Sequence, residues 1–239
     1  MLTSTIEFNW KYKLLGDHAI VFYLPEQMNA ITAFEIKYFN DFIVTQHLCE
    51  IKDIIPSYHT VTLIYKIELV NHPMQFANDL IEKYVHHRIQ AASINNSHHI
   101  IEVPVCYEEI FGIDLKSMSS TLNLSVNEIV KIHSENNYLV YCLGFMPGFA
   151  YMGSVASKIQ VARHHQPRQK IVAGSVGIAG AQTGIYPMNS PGGWQIIGRT
   201  PLKIFDKNPS ILSKFKMGDQ VKFYPITVAE FEALNQHEN

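Results

Sequence analysis

Apolar and polar positions follow two rhythms along this chain, and the change falls near residue 95. Before it, both strand and helix periods are present. Residues 5–13 and 18–24 read as strands separated by the turn signal Gly16-Asp17. Asn29 is placed to cap a helix running to about residue 47, with Ile31, Phe34, Tyr38, Phe42 and either Ile43 or Val44 on one face. In 58–69, Val61, Leu63, Tyr65 and Ile67 fall at every second position, with Thr62, Ile64 and Lys66 between them, the period of a half-buried strand. Pro73 suits the first turn of a second helix, whose inner face would carry Met74, Ala77, Ile81, Tyr84 and Ile89. The stretch 91–99, AASINNSHH, is polar and turn-prone, so a boundary between domains 1–95 and 96–239 is placed there.

Beyond the boundary, IIEVPVCY (100–107) opens the second domain. Ser125 and Glu128 have capping-box spacing ahead of Ile129, Val130 and Ile132, which predicts a short helix ending near Asn136. YLVYCLGF (138–145) reads as a buried strand. From there to Pro225, short apolar runs are separated by Gly, Pro and Asn, the pattern of a closed β-barrel or a sandwich rather than of βαβ units. The fold class expected is α+β, a small α/β N-terminal domain followed by a closed β-barrel or a sandwich.

Within the barrel region, positions 171–198 hold seven of the chain's thirteen glycines and no formal charge. Two explanations compete: a cradle of exposed N–H groups around a small polar or anionic ligand, or a barrel with many sharp corners. Ser175, Gln182, Thr183, Asn189, Ser190 and Gln195 would supply hydroxyls and amides, and Arg168 and Arg199 flank the segment as anion-binding candidates. The alternative for each arginine is a bond to backbone carbonyls at the barrel mouth. Phe145, Phe149, Tyr151, Tyr186 and Trp194 read as core before cofactor platform, and Asp206 as a strand-end turn. No Asp, Glu, His or Lys lies in 171–198, so an acid or base must come from His164, His165, Asp206 or a partner protein.

Composition then removes several classes. A net charge of −2 with no block of like charge gives no basis for nucleic-acid binding. Cys49, Cys106 and Cys142 are far apart and include no C-x-x-C pair, which points to a reducing, cytoplasmic setting. MLTSTIEFNWKYK has no apolar leader pattern, and the uncharged stretch 136–157 is too broken by Gly and Pro to span a membrane. The pairs His86-His87, His98-His99 and His164-His165 cannot each converge two rings on one ion from adjacent positions, and no metal is expected. GSVGIAGAQTG matches neither the P-loop nor the dinucleotide fingerprint nor the nucleophile elbow.

GFMPGFAYMG (144–153), Pro167-Arg168, AGSVGIAGAQTGIYP and SPGGWQIIGRTPLKIFD together resemble the allophanate hydrolase subunit 1 family, which is also called the kinase A inhibitor-like family and includes the B-type subunits of 5-oxoprolinase. LLGDHAI, IIPSYHTVTLIY, VPVCY and MGDQVKFYPI extend the likeness over most of the chain. Ala150 and Ala162 stand where the family commonly has proline, and SVAS is a shortened form of its loop. The resemblance implies a cyclophilin-like barrel as the second domain. It implies two partners, an allophanate hydrolase subunit 2-like protein (the C-type component of 5-oxoprolinase) and a lactam-binding protein (the A-type component of 5-oxoprolinase). The implied reaction opens 5-oxoproline to L-glutamate with ATP hydrolysis, ATP being bound here or shared with a partner, and the chain is not expected to act alone.

On that reaction, Gln182, Thr183, Ser190 and Arg199 would hold an acyl-phosphate-like species, with Arg168 gripping a carboxylate and the backbone at Gly192 and Gly193 close to the ligand. Two other functions fit the same family: inhibition of a sporulation-type histidine kinase, and a carboxyltransferase half-domain of a urea carboxylase or allophanate-type system.

Overall fold

The computed structural model describes residues 9–90, 100–206 and 213–237. The chain divides into two compact units, Met1–Ser97 and His98–Asn239. The boundary expected at 95/96 lies outside the described residues.

In the first unit, strands β1 (Lys11–Leu15), β2 (Ala19–Tyr23), β3 (Ile51–Ser57) and β4 (Thr60–Tyr65) form an antiparallel sheet in the order β1-β2-β4-β3. Helices α1 (Ala30–Thr45) and α2 (Pro73–Gln90) complete it. Asn29 caps α1 through its side-chain oxygen, which accepts from the Thr32 N–H at 2.8 Å. The buried face of α1 is Thr32, Ala33, Glu35, Ile36, Phe39, Phe42 and Ile43, so the expected face is rotated: Ile31 and Val44 are exposed. Ala33, Ile36 and Phe39 decide the rotation, because Phe39 packs against Trp10, Phe22 and Tyr84 with ring centroids 4.4, 5.2 and 4.8 Å away. On α2, Ala77 and Tyr84 are buried as expected, Leu80 joins them, and Met74 is exposed; the Ile89 side chain lies outside the described residues. Strand β3 has no counterpart in the sequence reading. It carries Pro56 at the sheet edge, where a missing N–H leaves no ladder bond unmade.

Glu35 is enclosed in this core, receiving the Tyr84 hydroxyl at 2.5 Å and the Trp10 indole N–H and Arg88 Nε–H at 3.5 and 3.3 Å. Burial and the facing carboxylate push the Tyr84 phenol well up.

In the second unit, β5 (Ile100–Cys106), β6 (Asn137–Leu143), β7 (Ala150–Gly153), β9 (Ser175–Ala179), β10 (Gln182–Ile185), β12 (Gln195–Arg199) and β13 (Gln220–Ile226) close a barrel in the order β10-β7-β6-β13-β5-β12-β9. This is the expected β-barrel. Neighbours are antiparallel except β13 and β5, which run parallel from Gln220↔Ile100 to Ile226↔Cys106. Along β13 the alternation is plain: Val221 and Phe223 are buried between Gln220, Lys222 and Tyr224. The interior is filled by Val103, Val105, Tyr138, Val140, Met152, Val176, Ile178, Ile197 and Phe223. Outside the barrel, β8 (Arg168–Ile171) and β11 (Ser190–Gly192) pair as a two-stranded ribbon. Helices α3 (Leu115–Leu122), α4 (Val126–Glu135) and α5 (Val228–His237) complete the unit, α4 carrying the expected capping box. Neither α3 nor α5 has a counterpart in the sequence reading.

Candidate functional site

The most concentrated polar chemistry of the second unit gathers on Asp114, just ahead of α3. An aspartate there is placed to cap the helix, yet its side chain makes no cap bond. Instead Oδ2 accepts the Ile196 N–H at 2.6 Å, while the Asp114 N–H donates to the Ile196 carbonyl at 3.0 Å. Oδ1 accepts from Arg168 Nη2 at 2.5 Å and lies 3.4 Å from His164 Nε2. With Asp114 only 4% exposed, this is a carboxylate whose desolvation is offset by charge-assisted bonds. His164 is fixed from its other side, its backbone N–H donating to the Gly193 carbonyl at 2.6 Å.

The ribbon brings three of the expected site residues together. Arg168 on β8 stands opposite Gly192 on β11, and Ser190 stands opposite Ile171. Arg168 does grip a carboxylate, but that of Asp114 in its own chain, leaving Nη1 buried with no hydrogen-bond partner. Ser190 Oγ is also buried without a partner, and His164 Nε2 has ion-pair distance to Asp114 without hydrogen-bond alignment. The two adjacent glycines differ. A Cβ at Gly192 would meet the Tyr186 hydroxyl at 2.4 Å and Ile171 Cδ1 at 2.6 Å, so packing demands glycine there. At Gly193 the nearest atom would be the His164 carbonyl oxygen at 3.4 Å, ordinary contact.

The remaining expected residues lie elsewhere. Thr183 is fully buried: Oγ1 donates to the Gly177 carbonyl at 3.0 Å and lies 3.0 Å from His133 Nε2. Because the hydroxyl proton goes to Gly177, His133 Nε2–H must donate to Thr183 and Nδ1 must accept from the Tyr107 hydroxyl at 2.8 Å. Thr183 thus belongs to a closed relay in the barrel interior. Burial lowers the His133 pKa to about 3 and raises that of Tyr107, so both are neutral. Arg199 follows the carbonyl-bonding alternative: Nε donates to the Ala173 carbonyl at 2.8 Å, and the guanidinium lies 5.8 and 5.7 Å from the Phe111 and Phe231 rings. Gln182 is half-buried on β10, opposite Ala179 and Gly153.

Phe149, Ile171, Tyr186 and Ile196 form a small separate core, with Met146, Tyr151 and Trp194 packed on it. Burial pushes the Tyr186 phenol up to about 12. Phe145 is the exception, 63% exposed at φ 68°. Two cavities stand out among the described residues, the second-unit one lined in part by Gly112 and Leu115, which flank Asp114 in the chain. One of about 340 Å³ is lined by Tyr107, Glu108, Glu109, Lys116, Asn127 and Pro225, and another of about 510 Å³ lies in the first unit beside Trp10, Tyr12 and Tyr23. Hydrogen-bond demand singles out the Asp114 cluster; neither cavity has a buried unpartnered polar atom among these residues. Sequence reading missed Asp114, a lone acid in FGIDL. It also missed His133, although its i+4 spacing from buried Ile129 was the signal that could have found it.

Comparison with known proteins agrees with this architecture. The family described as carboxyltransferase domain, subdomain C and D, matches residues 10–212. The B-type subunit of 5-oxoprolinase from Bacillus subtilis is 35% identical over 238 residues, covering 96% of this chain and 98% of the relative. Among solved structures, TTHA0988 superposes with a TM-score of 0.75 at 25% identity, over 87% of this chain and 39% of that one. The urea amidolyase of K. lactis shares the fold, with a TM-score of 0.72 at 18% identity over 96% of this chain and 15% of that one. The chain therefore spans well under half of either solved protein. No helix among the described residues is long and apolar enough to cross a membrane. By its match over most of its length, the chain belongs to the carboxyltransferase subdomain C and D family, the family to which its likeness to the B-type subunits of 5-oxoprolinase pointed.

Proposed function

We infer that this chain is one component of an ATP-dependent 5-oxoprolinase, opening 5-oxoproline to L-glutamate in the cytoplasm. It would work with two partners, a C-type protein like allophanate hydrolase subunit 2 and a lactam-binding protein of the A type. One observation carries the reading: the likeness to the Bacillus subtilis B-type subunit runs almost end to end on both chains.

The residues of the candidate site do not fit a triphosphate. Arg168 is neutralised by Asp114, Arg199 is held by Ala173 and two rings, and 171–198 contains no lysine. We assign ATP to a partner protein. This chain's share is to hold and orient the group undergoing ring opening, at the ribbon end of the barrel. There Arg168, His164 and Ser190 carry buried polar atoms with no hydrogen-bond partner.

The test is reconstitution with the two partner proteins, measuring 5-oxoproline-dependent ATP hydrolysis while each component is omitted in turn. Activity that persists without this chain would overturn the reading. The family description favours one second reading, a carboxyltransferase component acting with a separate biotin carboxylase. Transfer of a carboxyl group from carboxybiotin to urea, dependent on this chain, would establish it.

A further inference from the structure

We propose that the groove where edge strand β1 meets helix α2 is a docking site for a partner protein. Its occupant is an extended segment in which acidic and apolar side chains alternate, added to the sheet as a further strand beside β1. The site lies in the first unit and stands apart from the 5-oxoproline reading, whichever way that falls.

Three observations carry it. The first is the backbone. Strand β1 pairs with β2 in unbroken register from Lys11↔Tyr23 to Leu15↔Ala19, and its other side has no strand partner among the described residues. The opposite edge, β3, is blunted by Pro56 and by a register shift between Ile51 and Asp53; β1 has neither proline nor bulge. A row of unpaired N–H and C=O groups is a template for an extended chain. The second is charge. The pleat sets Lys11, Lys13 and Leu15 on one face of β1 and Tyr12 and Leu14 on the other. Neither lysine has an ion pair among the described residues, and the Lys13 ammonium rests 5.7 Å over the Tyr23 ring. A second copy of β1 laid antiparallel in full register would set Lys13 against Lys13, which is unfavourable, whereas acidic side chains at these cross-strand positions are favoured. The third is the groove itself, a cavity of about 510 Å³ lined at the start of β1 by Trp10, Lys11 and Tyr12 and from α2 by Asn78, Ile81 and Glu82.

Helix α2 supplies the apolar half. Its buried face is Ala77, Leu80 and Tyr84, while Met74, Asn78, Ile81, Glu82 and Val85 recur at the spacing of a second face, on which Met74 and Val85 are exposed. The Tyr12 hydroxyl donates to the Met74 carbonyl at 3.2 Å, so α2 lies on the Tyr12 side of β1, away from the lysine face. Glu82 disfavours acids on that side, and Tyr12 and Ile81 favour apolar groups. The two faces of an added strand therefore meet different chemistry, acids beside Lys11 and Lys13 and apolar side chains against α2.

The experiment uses the full chain, labelled with ¹⁵N, and follows the amides of β1 and the Trp10 indole N–H. The probes are a capped peptide that alternates Glu with Val and Phe, and its counterpart with Lys in place of Glu, at constant pH and ionic strength. The acidic peptide should shift these signals saturably and slow solvent exchange of the β1 amides that do not donate to β2. The basic peptide should bind at least tenfold more weakly. Lys11→Glu combined with Lys13→Glu changes two exposed positions and should reverse that preference, and Ile81→Ser should weaken the acidic peptide severalfold. Equal affinity for the two peptides, or no binding of either, would overturn the proposal. So would a preference left unchanged by the double charge reversal. Sedimentation equilibrium tests the other occupants: a dimer abolished by Leu14→Lys would give the edge to a second copy. Peptide binding that appears only after removal of residues 1–8 would give the groove to the chain's own first residues.

Discussion

The relay inside the barrel makes the second unit acid-labile to an extent that follows from one side chain. His133 is fully enclosed, stacked on Phe223 with centroids 4.7 Å apart, and bonded as a neutral ring between Tyr107 and Thr183. Protonation would put a proton on Nδ1, which already accepts from Tyr107, and a charge among phenols that burial keeps neutral. Its pKa is therefore lowered from 6.5 to about 3 in the folded chain. The unfolded chain takes up this proton first, so the stability contribution is complete above pH 6.5 and is lost as pH falls toward 3. Each pH unit within that window costs about 1.4 kcal/mol, and between pH 7 and pH 5 the loss is about 2 kcal/mol. The two tryptophans make it measurable, since Trp10 lies in the first unit and Trp194 in the second. In a Trp10→Phe background, urea unfolding followed by Trp194 emission at pH 7 and pH 5 reports the second unit. Introducing His133→Gln should lower stability at pH 7 and remove about 2 kcal/mol of the pH dependence. An equal pH dependence in the two proteins would refute the buried, neutral relay.

The other predictions concern packing and the carboxylate. Thr183→Val leaves the His133 N–H without its acceptor and should cost about 1–3 kcal/mol by the same unfolding assay, with Thr183→Ser recovering most of it. Asp114→Asn removes the charge facing Arg168 and weakens the Ile196 bond; discounted for the partial exposure of Arg168, it should cost about 2–3 kcal/mol in urea unfolding. Gly192→Ala forces a methyl group onto Tyr186 and Ile171 and should destabilise by about 1–3 kcal/mol, against less than about 0.5 kcal/mol for Gly193→Ala. In the first unit, Phe39→Ala empties the centre of the aromatic cluster and should cost about 3–5 kcal/mol, read by Trp10 emission in a Trp194→Phe background.

Local signals in the sequence carried the features that local physics decides. Ser125 and Glu128 announce α4 because both halves of a capping box are present, and the Gly16-Asp17 turn and the strand after Ala19 follow from a turn residue and an apolar run. What depended on partners distant in sequence was hidden. The rotation of α1 is set by Trp10, Phe22 and Tyr84, none of which is within the helix, and the same neighbours allow Glu35 to be buried. Edge strand β3 carries Pro56, an argument against a strand until its place at the sheet edge is known. The site followed the same division. Arg168, Ser190 and Gly192 stand together because one ribbon holds them. Thr183 and Arg199 looked equally suitable, but the strand pleat turned one inward and Phe111 and Phe231 enclosed the other. Asp114 could not be seen at all, because its partners Arg168 and Ile196 lie 54 and 82 residues further along the chain.

The parallel pairing of β5 with β13 bears on how the barrel comes into being. The first strand of the second unit lies beside its last, and β6 also waits for β13. During synthesis, Val103, Val105 and Val140 therefore emerge long before the strand that seals them, with two ladders open at their edges. Closure of this kind has a high contact order and is slow. A ribosome-bound chain ending before Gln220 should thus remain protease-sensitive throughout the second unit, and truncation within β13 should yield aggregation instead of a smaller folded barrel.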